Sequence, residues 1–103
     1  MILTEERTME YSEYTYWIKQ SSRIYRSLSP IRNDLELYLG IDMCRFVYND
    51  KVELYLDVIF ENGRREHIDV TDILRAVYSD CEDWELPFYE KLCTRLERYM
   101  LSA

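Results

Sequence analysis

The chain has 103 residues, of which 48% are hydrophobic and 15% aromatic, and it carries a formal net charge of −7. The length predicts one domain, and this composition excludes intrinsic disorder, which requires low hydrophobicity and few aromatic residues. A net anion is repelled by nucleic acid and by anionic lipid. Direct nucleic-acid or membrane binding is therefore not expected, and the expected partner is another protein with a basic surface.

The first predicted element is a helix over residues 8–28. Apolar and small side chains recur in it every three or four residues, which is the spacing of one helix face. They are Tyr14, Trp17, Ile18, Ser21, Ile24, Tyr25 and Leu28. Glu6, Glu10 and Glu13 project in line with this stripe, which indicates that the start of the helix extends past the core or meets a surface that is not apolar.

Residues 31–39 allow two predictions. Ser29 and Pro30 suit the cap and the first position of a new helix, and Gly40 suits its C-terminal stop. The alternative is a strand, because apolar residues also alternate at Leu35, Leu37, Leu39 and Ile41. The helix is favoured because capping residues bracket the segment on both sides.

Three strands are predicted next, over residues 42–48, 52–60 and 64–70. The second strand has apolar residues at every other position, which is typical of a strand with one covered face and one wetter face. These residues are Val52, Leu54, Leu56, Val58 and Phe60.

The loop between the second and third strands decides which residues face the core. A two-residue turn at Asn62–Gly63 would turn the apolar residues of the third strand towards water. A three-residue loop, Glu61–Gly63 with Gly63 in the left-handed conformation, pairs Leu56 with Ile68. A shift of one residue turns every side chain to the opposite face, so the apolar pattern favours the three-residue loop.

After the strands, Thr71 or Asp72 is predicted to cap a helix that ends near Tyr78, and a last helix is predicted over about Leu86–Leu101. The sequence therefore predicts an α+β fold. It consists of a three-stranded antiparallel β-meander with two helices before it and two after it, with the helices packed mainly on one face. Residues 1–103 are expected to form this single domain.

The favoured register places the only histidine on the wetter face. His67 and Asp69 then lie beside Asp57 and Tyr55, where His67, Asp57 and Asp69 would be suitable ligands for a divalent metal. No serine or cysteine lies in a recognisable nucleophile loop, and the glycine-rich loops that bind phosphates are missing. A surface position for His67 is favoured, and no catalytic residue, metal or cofactor is predicted.

The cysteines indicate a reducing compartment. Cys44, Cys81 and Cys93 are odd in number and widely spaced, and no CxxC pair occurs. This pattern predicts free, buried thiols, and the absence of a signal-like or membrane-spanning run predicts a cytoplasmic location.

The acidic segments contain the candidate partner-binding residues. Acids just before the last helix would stabilise its N-terminus, which is the structural explanation for them. The functional explanation is an acidic rim around an aromatic anchor, a common arrangement in protein interfaces. On that explanation the predicted contact residues are Glu6, Glu10, Glu13, Asp80, Glu82, Asp83 and Trp84.

The resulting hypothesis is a small acidic protein-binding module and not an enzyme. It could act as an inhibitor that presents carboxylates to the nucleic-acid-binding surface of a partner, by analogy with small acidic anti-defence proteins of phages and mobile elements. One alternative is a homodimeric structural or adaptor subunit that uses surface tyrosines and a sheet edge. The other is a metal-binding or enzymatic protein that uses His67, Asp57 and Asp69.

Overall fold

The computed structural model describes the backbone of residues 2–38 and 40–101 and the side chains of residues 12–37 and 40–101. In these ranges the fold is α+β, with one helix, a three-stranded antiparallel meander and two further helices. The elements in chain order are α1 (Ile2–Tyr38), β1 (Ile41–Tyr48), β2 (Leu54–Phe60), β3 (Arg65–Asp69), α2 (Thr71–Val77) and α3 (Glu85–Leu101). The described chain therefore has three helices, and the predicted total of four is wrong.

The error lies at Ser29 and Pro30, where α1 continues without interruption. A proline inside a helix removes one backbone donor and crowds the preceding turn, at a cost of about 3 kcal/mol. The buried side chains of α1 nevertheless continue past it at helical spacing, at Ile24, Leu28, Ile31 and Leu35. Burying each of these contributes about 1.5–3 kcal/mol, which together outweighs the proline. The helix alternative for residues 31–39 is confirmed over residues 31–38, and residue 39 lies outside the described residues.

The long helix extends past the sheet. Its 37 residues span about 55 Å at 1.5 Å per residue, and the longest dimension of the molecule is 53 Å. The longest strand has eight residues, or about 27 Å. Much of α1 therefore has no strand beneath it. Of the predicted apolar stripe, Trp17 packs against the core, but Tyr14, Ile18 and Tyr25 are 39%, 43% and 53% exposed.

The core lies on one face of the sheet, in which β2 is the central strand. Side chains of β2 alternate between buried and half-buried positions, as the sequence predicts. On the buried face the ring of Phe46 from β1 lies 6.0 Å from the ring of Phe88 in α3. The buried residues of β2 are Leu54, Leu56, Val58 and Phe60.

The β2–β3 register confirms the predicted three-residue loop. Leu56 pairs with Ile68, and Gly63 has φ +87°, which is the left-handed conformation. The Gly63 N–H donates to the Phe60 carbonyl at 2.8 Å and closes the loop over residues 61–63. Both apolar partners consequently lie on the buried face.

A bulge shifts the start of β1 by one residue. Ile41 pairs with Phe60, but Met43 already pairs with Ile59, so Asp42 is an extra residue on the β1 side. An extra residue reverses the alternation of side chains beyond it. Ile41 is therefore buried while Met43 lies on the opposite face, 57% exposed.

The start of α2 differs from the predicted cap. Neither Thr71 nor Asp72 caps the helix, because Thr71 is already its first residue. The Thr71 hydroxyl accepts the Leu54 N–H at 2.8 Å and donates to the Leu54 carbonyl at 3.2 Å, while Asp69 accepts the Thr71 N–H at 2.9 Å. Thr71 therefore ties the beginning of α2 to the first residue of the central strand.

We expect substitution of Pro30 and Ser29 to distinguish a continuous α1 from a break. Pro30→Ala should raise the free energy of unfolding by about 1–3 kcal/mol, because it restores a donor inside the helix. Ser29→Ala should be neutral or slightly stabilising in a continuous helix, whereas loss of a cap would cost about 1 kcal/mol. Urea unfolding of both variants measures this. A neutral Pro30→Ala together with a destabilised Ser29→Ala would contradict the continuous helix.

We also expect Gly63→Ala to lower the free energy of unfolding by about 1–2 kcal/mol, because a side chain disfavours the left-handed conformation. An added Cβ at Gly63 meets no atom within 4 Å, so no steric clash contributes. Gly63→Asn should recover part of the loss, since asparagine adopts this conformation more readily. Equal losses for both variants in thermal unfolding would point to a cause other than φ.

Candidate binding surfaces

The segment between α2 and α3, residues 79–84, forms an acidic loop. Its Asp80, Glu82 and Asp83 are all exposed. The loop follows Tyr78, the C-cap residue of α2, and leads directly into α3 at Glu85. The three predicted contact acids of this segment are therefore together at the surface.

Trp84 lies in the core beneath this loop. It is 5% exposed, and its ring lies 5.5 Å from the ring of Tyr78 and 5.6 Å from that of Phe88. Its carbonyl accepts the Phe88 N–H at 3.0 Å, which begins the hydrogen bonding of α3. The sequence predicts Trp84 as an aromatic anchor among the acids, but the structure places it as a support below them, because its ring fills the space between α2 and α3.

Helix α1 runs beside the acidic loop and brings one cation to it. The Tyr78 hydroxyl donates to Gln20 Oε1 at 2.7 Å. Arg23 and Ser27 of α1 line a small cavity together with the loop. Burial raises the pKa of Tyr78, while the positive charge of Arg23 acts in the opposite direction. The loop is therefore acidic on its outer side and partly neutralised where it meets α1.

The second predicted acidic set lies along α1. Glu13 is exposed, one helical turn before Trp17, whose ring lies 5.7 Å from that of Tyr78. The side chains of Glu6 and Glu10 lie outside the described residues. Glu13 is thus the described member of this set, and it lies one helical turn beyond the point where α1 meets Tyr78.

The three thiols have different surroundings. Burial raises the pKa of Cys44 to about 12, and burial also raises the pKa of Cys93. Both are buried as predicted, but Cys81 is exposed. Its Sγ donates to Asp80 Oδ1 at 3.3 Å, and this hydrogen bond is the main cause of its raised pKa. Since the thiolate is the reactive form of cysteine, none of the three is prepared as a nucleophile.

The face of the sheet opposite the core, here called the open sheet face, has nine side chains in three cross-strand rows. Each row takes one residue from β1, one from β2 and one from β3. The first row is Met43, Ile59 and Arg65. The middle row is Arg45, Asp57 and His67, and the last row is Val47, Tyr55 and Asp69. The first two rows line a shallow depression of about 440 Å³.

His67 is exposed in the middle row of this face, as the sequence predicts. His67 Nδ1 bonds to Asp57 Oδ1, and the imidazole stacks on Tyr55 with ring centroids 4.3 Å apart and planes 6° apart. Arg45 Nε lies 3.5 Å from the other oxygen of Asp57. In the described part of the chain, no group of three or more His, Cys, Asp or Glu side chains has an arrangement that could hold a metal ion.

Side chains from the helices occupy part of both sheet edges. The Cys44 N–H of β1 donates to Glu36 Oε2 of α1 at 2.9 Å. At the other edge, the Asp69 carbonyl of β3 accepts from Arg95 of α3 at 3.1 Å. These contacts occupy backbone N–H and carbonyl groups with which a further strand would have to form hydrogen bonds at the edge of the sheet. The open sheet face is therefore the more accessible surface of the sheet.

Several of these contacts have no signal in the sequence. The acidic segment is recognisable from composition, but the approach of Arg23 depends on how α1 crosses the α2–α3 connection. The bulge at Asp42, which turns Met43 outward, has no glycine to mark it. The Tyr55–His67 stack, by contrast, follows from the predicted register, because that register makes the two residues diagonal neighbours on adjacent strands.

Comparison with models of protein families, with curated proteins and with solved structures finds no match for this chain. Within the described residues, no helix combines the length and the apolar character needed to cross a membrane. The surfaces described above are therefore the basis for assigning a function.

We expect Asp80→Ala to accelerate alkylation of Cys81 by iodoacetamide severalfold at neutral pH. The substitution removes both the hydrogen bond and the negative charge that raise the Cys81 pKa, so the thiolate fraction increases. Glu82→Ala is the matched control and should have a smaller effect, because its charge acts more weakly on this thiol. Mass spectrometry should find one fast-reacting thiol in the folded protein. Unchanged kinetics in Asp80→Ala would contradict the contact.

Proposed function

We propose that this chain is an acidic protein-binding module that docks on a basic surface of a partner protein. The observation that carries the proposal is the construction of the acidic loop. The rings of Tyr78 and Trp84 meet at its base at 5.5 Å, while Asp80, Glu82 and Asp83 are exposed above them. A loop fixed at both ends loses less conformational entropy on binding than a free acidic tail.

The charge distribution supports this assignment. Residues 41–103 contain fourteen acids and eight bases, a net charge of −6, whereas residues 1–40 contain six acids and five bases, a net charge of −1. A negative field on one part of a small protein increases the association rate with a cationic partner and disfavours acidic ones. The loop acids lie in this more negative part of the chain.

The proposed mode of action is competition with nucleic acid. Carboxylates bind arginine and lysine through the same charge-assisted hydrogen bonds that phosphates use. A partner with a nucleic-acid-binding groove would therefore accept Asp80, Glu82 and Asp83 in place of successive phosphates. In this role the protein is an inhibitor and performs no reaction of its own, and it requires no cofactor.

The α1 acids extend the proposed surface. Glu13 lies on the same helix that contacts Tyr78 through Trp17 and Gln20. Glu6 and Glu10 precede it at helical spacing and remain part of the proposal on sequence grounds. Trp84 contributes indirectly, because it holds the loop from below. Substitution of Trp84 would consequently affect folding before binding.

We expect the triple variant Asp80→Asn, Glu82→Gln and Asp83→Asn to lose about tenfold or more of its affinity for captured partners. The experiment is affinity capture from the native cell type with quantitative mass spectrometry, at low and moderate salt. Partners of the unmodified protein should be enriched in nucleic-acid-binding proteins and released by competing duplex DNA. Binding should also weaken with added salt, because exposed charges are screened.

The matched control removes three exposed acids elsewhere, with Asp34→Asn, Glu90→Gln and Glu97→Gln. It has the same net charge as the loop variant, so a general charge effect would lower capture equally in both. The proposal requires the loop variant to lose its partners and the control to retain them. Retention of the same partners by the loop variant would refute it.

A further inference from the structure

Two charged residues at the ends of β3 are open to an external partner. Arg65 and Asp69 form no ion pair within the described part of the chain, whereas most of the other charged side chains in the sheet do. One carboxylate oxygen of Asp69 accepts the Thr71 N–H at 2.9 Å. They lie on the open sheet face, four residues or about 13 Å apart along the strand. One is in the first row and the other in the last row, and both are exposed.

The same two rows carry the apolar part of this face. Met43 of the first row is 57% exposed, and Ile59 beside it is half-buried. In the last row, Val47 and Tyr55 are half-buried at the corresponding strand positions. Each row therefore contains two apolar side chains on β1 and β2 and one charge on β3. The charge is positive in the first row and negative in the last.

We propose that the open sheet face binds the same face of a second copy of this chain, with a two-fold axis running across the strands along the middle row. This operation places the first row of each copy on the last row of the other. Arg65 then faces Asp69 of the second copy, Met43 faces Val47, and Ile59 faces Tyr55. All three contacts occur twice, as symmetry requires.

The middle row lies on the axis and meets itself. Its charges are already compensated within each copy, because Asp57 contacts both Arg45 and His67. The stacked ring of Tyr55 holds the imidazole in place. Arg45 would face Arg45 of the second copy, but its side chain is 75% exposed on an edge strand and reaches solvent beside the interface. Asp57 and His67 also meet their own copies on the axis, but each Asp57 keeps its contacts with Arg45 and His67 of its own chain, so the axis places no unpaired charge in the interface.

The size of the face determines the strength of the contact. Sheets pack face to face about 10 Å apart with their strands nearly aligned, which suits this geometry. Nine residues on each side are fewer than the about 20–30 of a standard interface. We therefore expect a weak dimer, with a dissociation constant of about a micromolar or above.

Charge exchange tests the proposed pairing directly. Arg65→Glu places two acids opposite each other in its own dimer, and Asp69→Lys places two bases opposite each other. Each variant alone should dimerise at least about tenfold more weakly than the unmodified protein. An equimolar mixture should recover the dimer, because the glutamate introduced in one chain then faces the lysine introduced in the other, and the second contact remains Arg65 with Asp69. Sedimentation equilibrium over a range of concentrations measures the unmodified protein, the two variants and their mixture.

Two further variants control for folding and for charge. Ile59→Lys should abolish dimerisation without involving the Asp69 side chain, which also accepts the Thr71 N–H. Arg26→Glu makes the same charge change as Arg65→Glu on the exposed side of α1 and should leave the dimer intact. Circular dichroism confirms that each variant is folded. The proposal is overturned if the unmodified protein is monomeric at about millimolar concentration. Dimerisation that is indifferent to Ile59→Lys, or a mixture that does not recover it, overturns it as well.

This inference is independent of the proposed partner. Arg65→Glu and Ile59→Lys leave Asp80, Glu82 and Asp83 unchanged, and the loop variant leaves the open sheet face unchanged. Loss of the dimer and loss of partner capture can therefore be observed separately. A protein that captures its partner but stays monomeric at about millimolar concentration would refute the dimer and leave the acidic loop as the binding surface.

Discussion

The burial of one side of β2 is the constraint on which the rest of the structure depends. Leu54, Leu56, Val58 and Phe60 are at most 6% exposed, and each contributes about 1.5–3 kcal/mol to folding. Since β2 is the central strand, these residues fix the side-chain direction of both neighbouring strands. A slip of one residue against either neighbour would expose the partners that complete the core.

The same burial explains why α1 tolerates Pro30. The helix covers the sheet with side chains from both sides of the proline, so a break there would separate Ile24 and Leu28 from Ile31 and Leu35. Its first half continues beyond the sheet, where the Tyr14 hydroxyl donates to the carbonyl of Asp50, in the turn between β1 and β2, at 3.1 Å. The unfavourable position of Pro30 inside the helix is therefore offset by the apolar side chains that the continuous helix buries on both sides of it.

Two different exposed surfaces carry the proposed interactions. The acidic loop lies between α2 and α3, where the packing of Tyr78 and Trp84 supports it. The open sheet face lies opposite the core and has mixed charge, which suits a surface like itself better than a uniformly basic one. Because the two surfaces share no residue, a partner and a second copy could be bound at the same time.

The sequence by itself determined the meander, its three-residue loop, the exposure of His67 and Asp69, and the position of the acidic segment. These follow from alternation, turn chemistry and composition, which are local properties. It could not determine that α1 passes through Pro30, that Trp84 lies in the core, or that Met43 turns outward beyond a bulge. Each of these depends on contacts between residues far apart in the chain. Read locally, Ser29 predicts a helix start, Trp84 among acids predicts an exposed anchor, and the β1 sequence predicts a regular strand. In each case, packing in the shared core decides for a different arrangement.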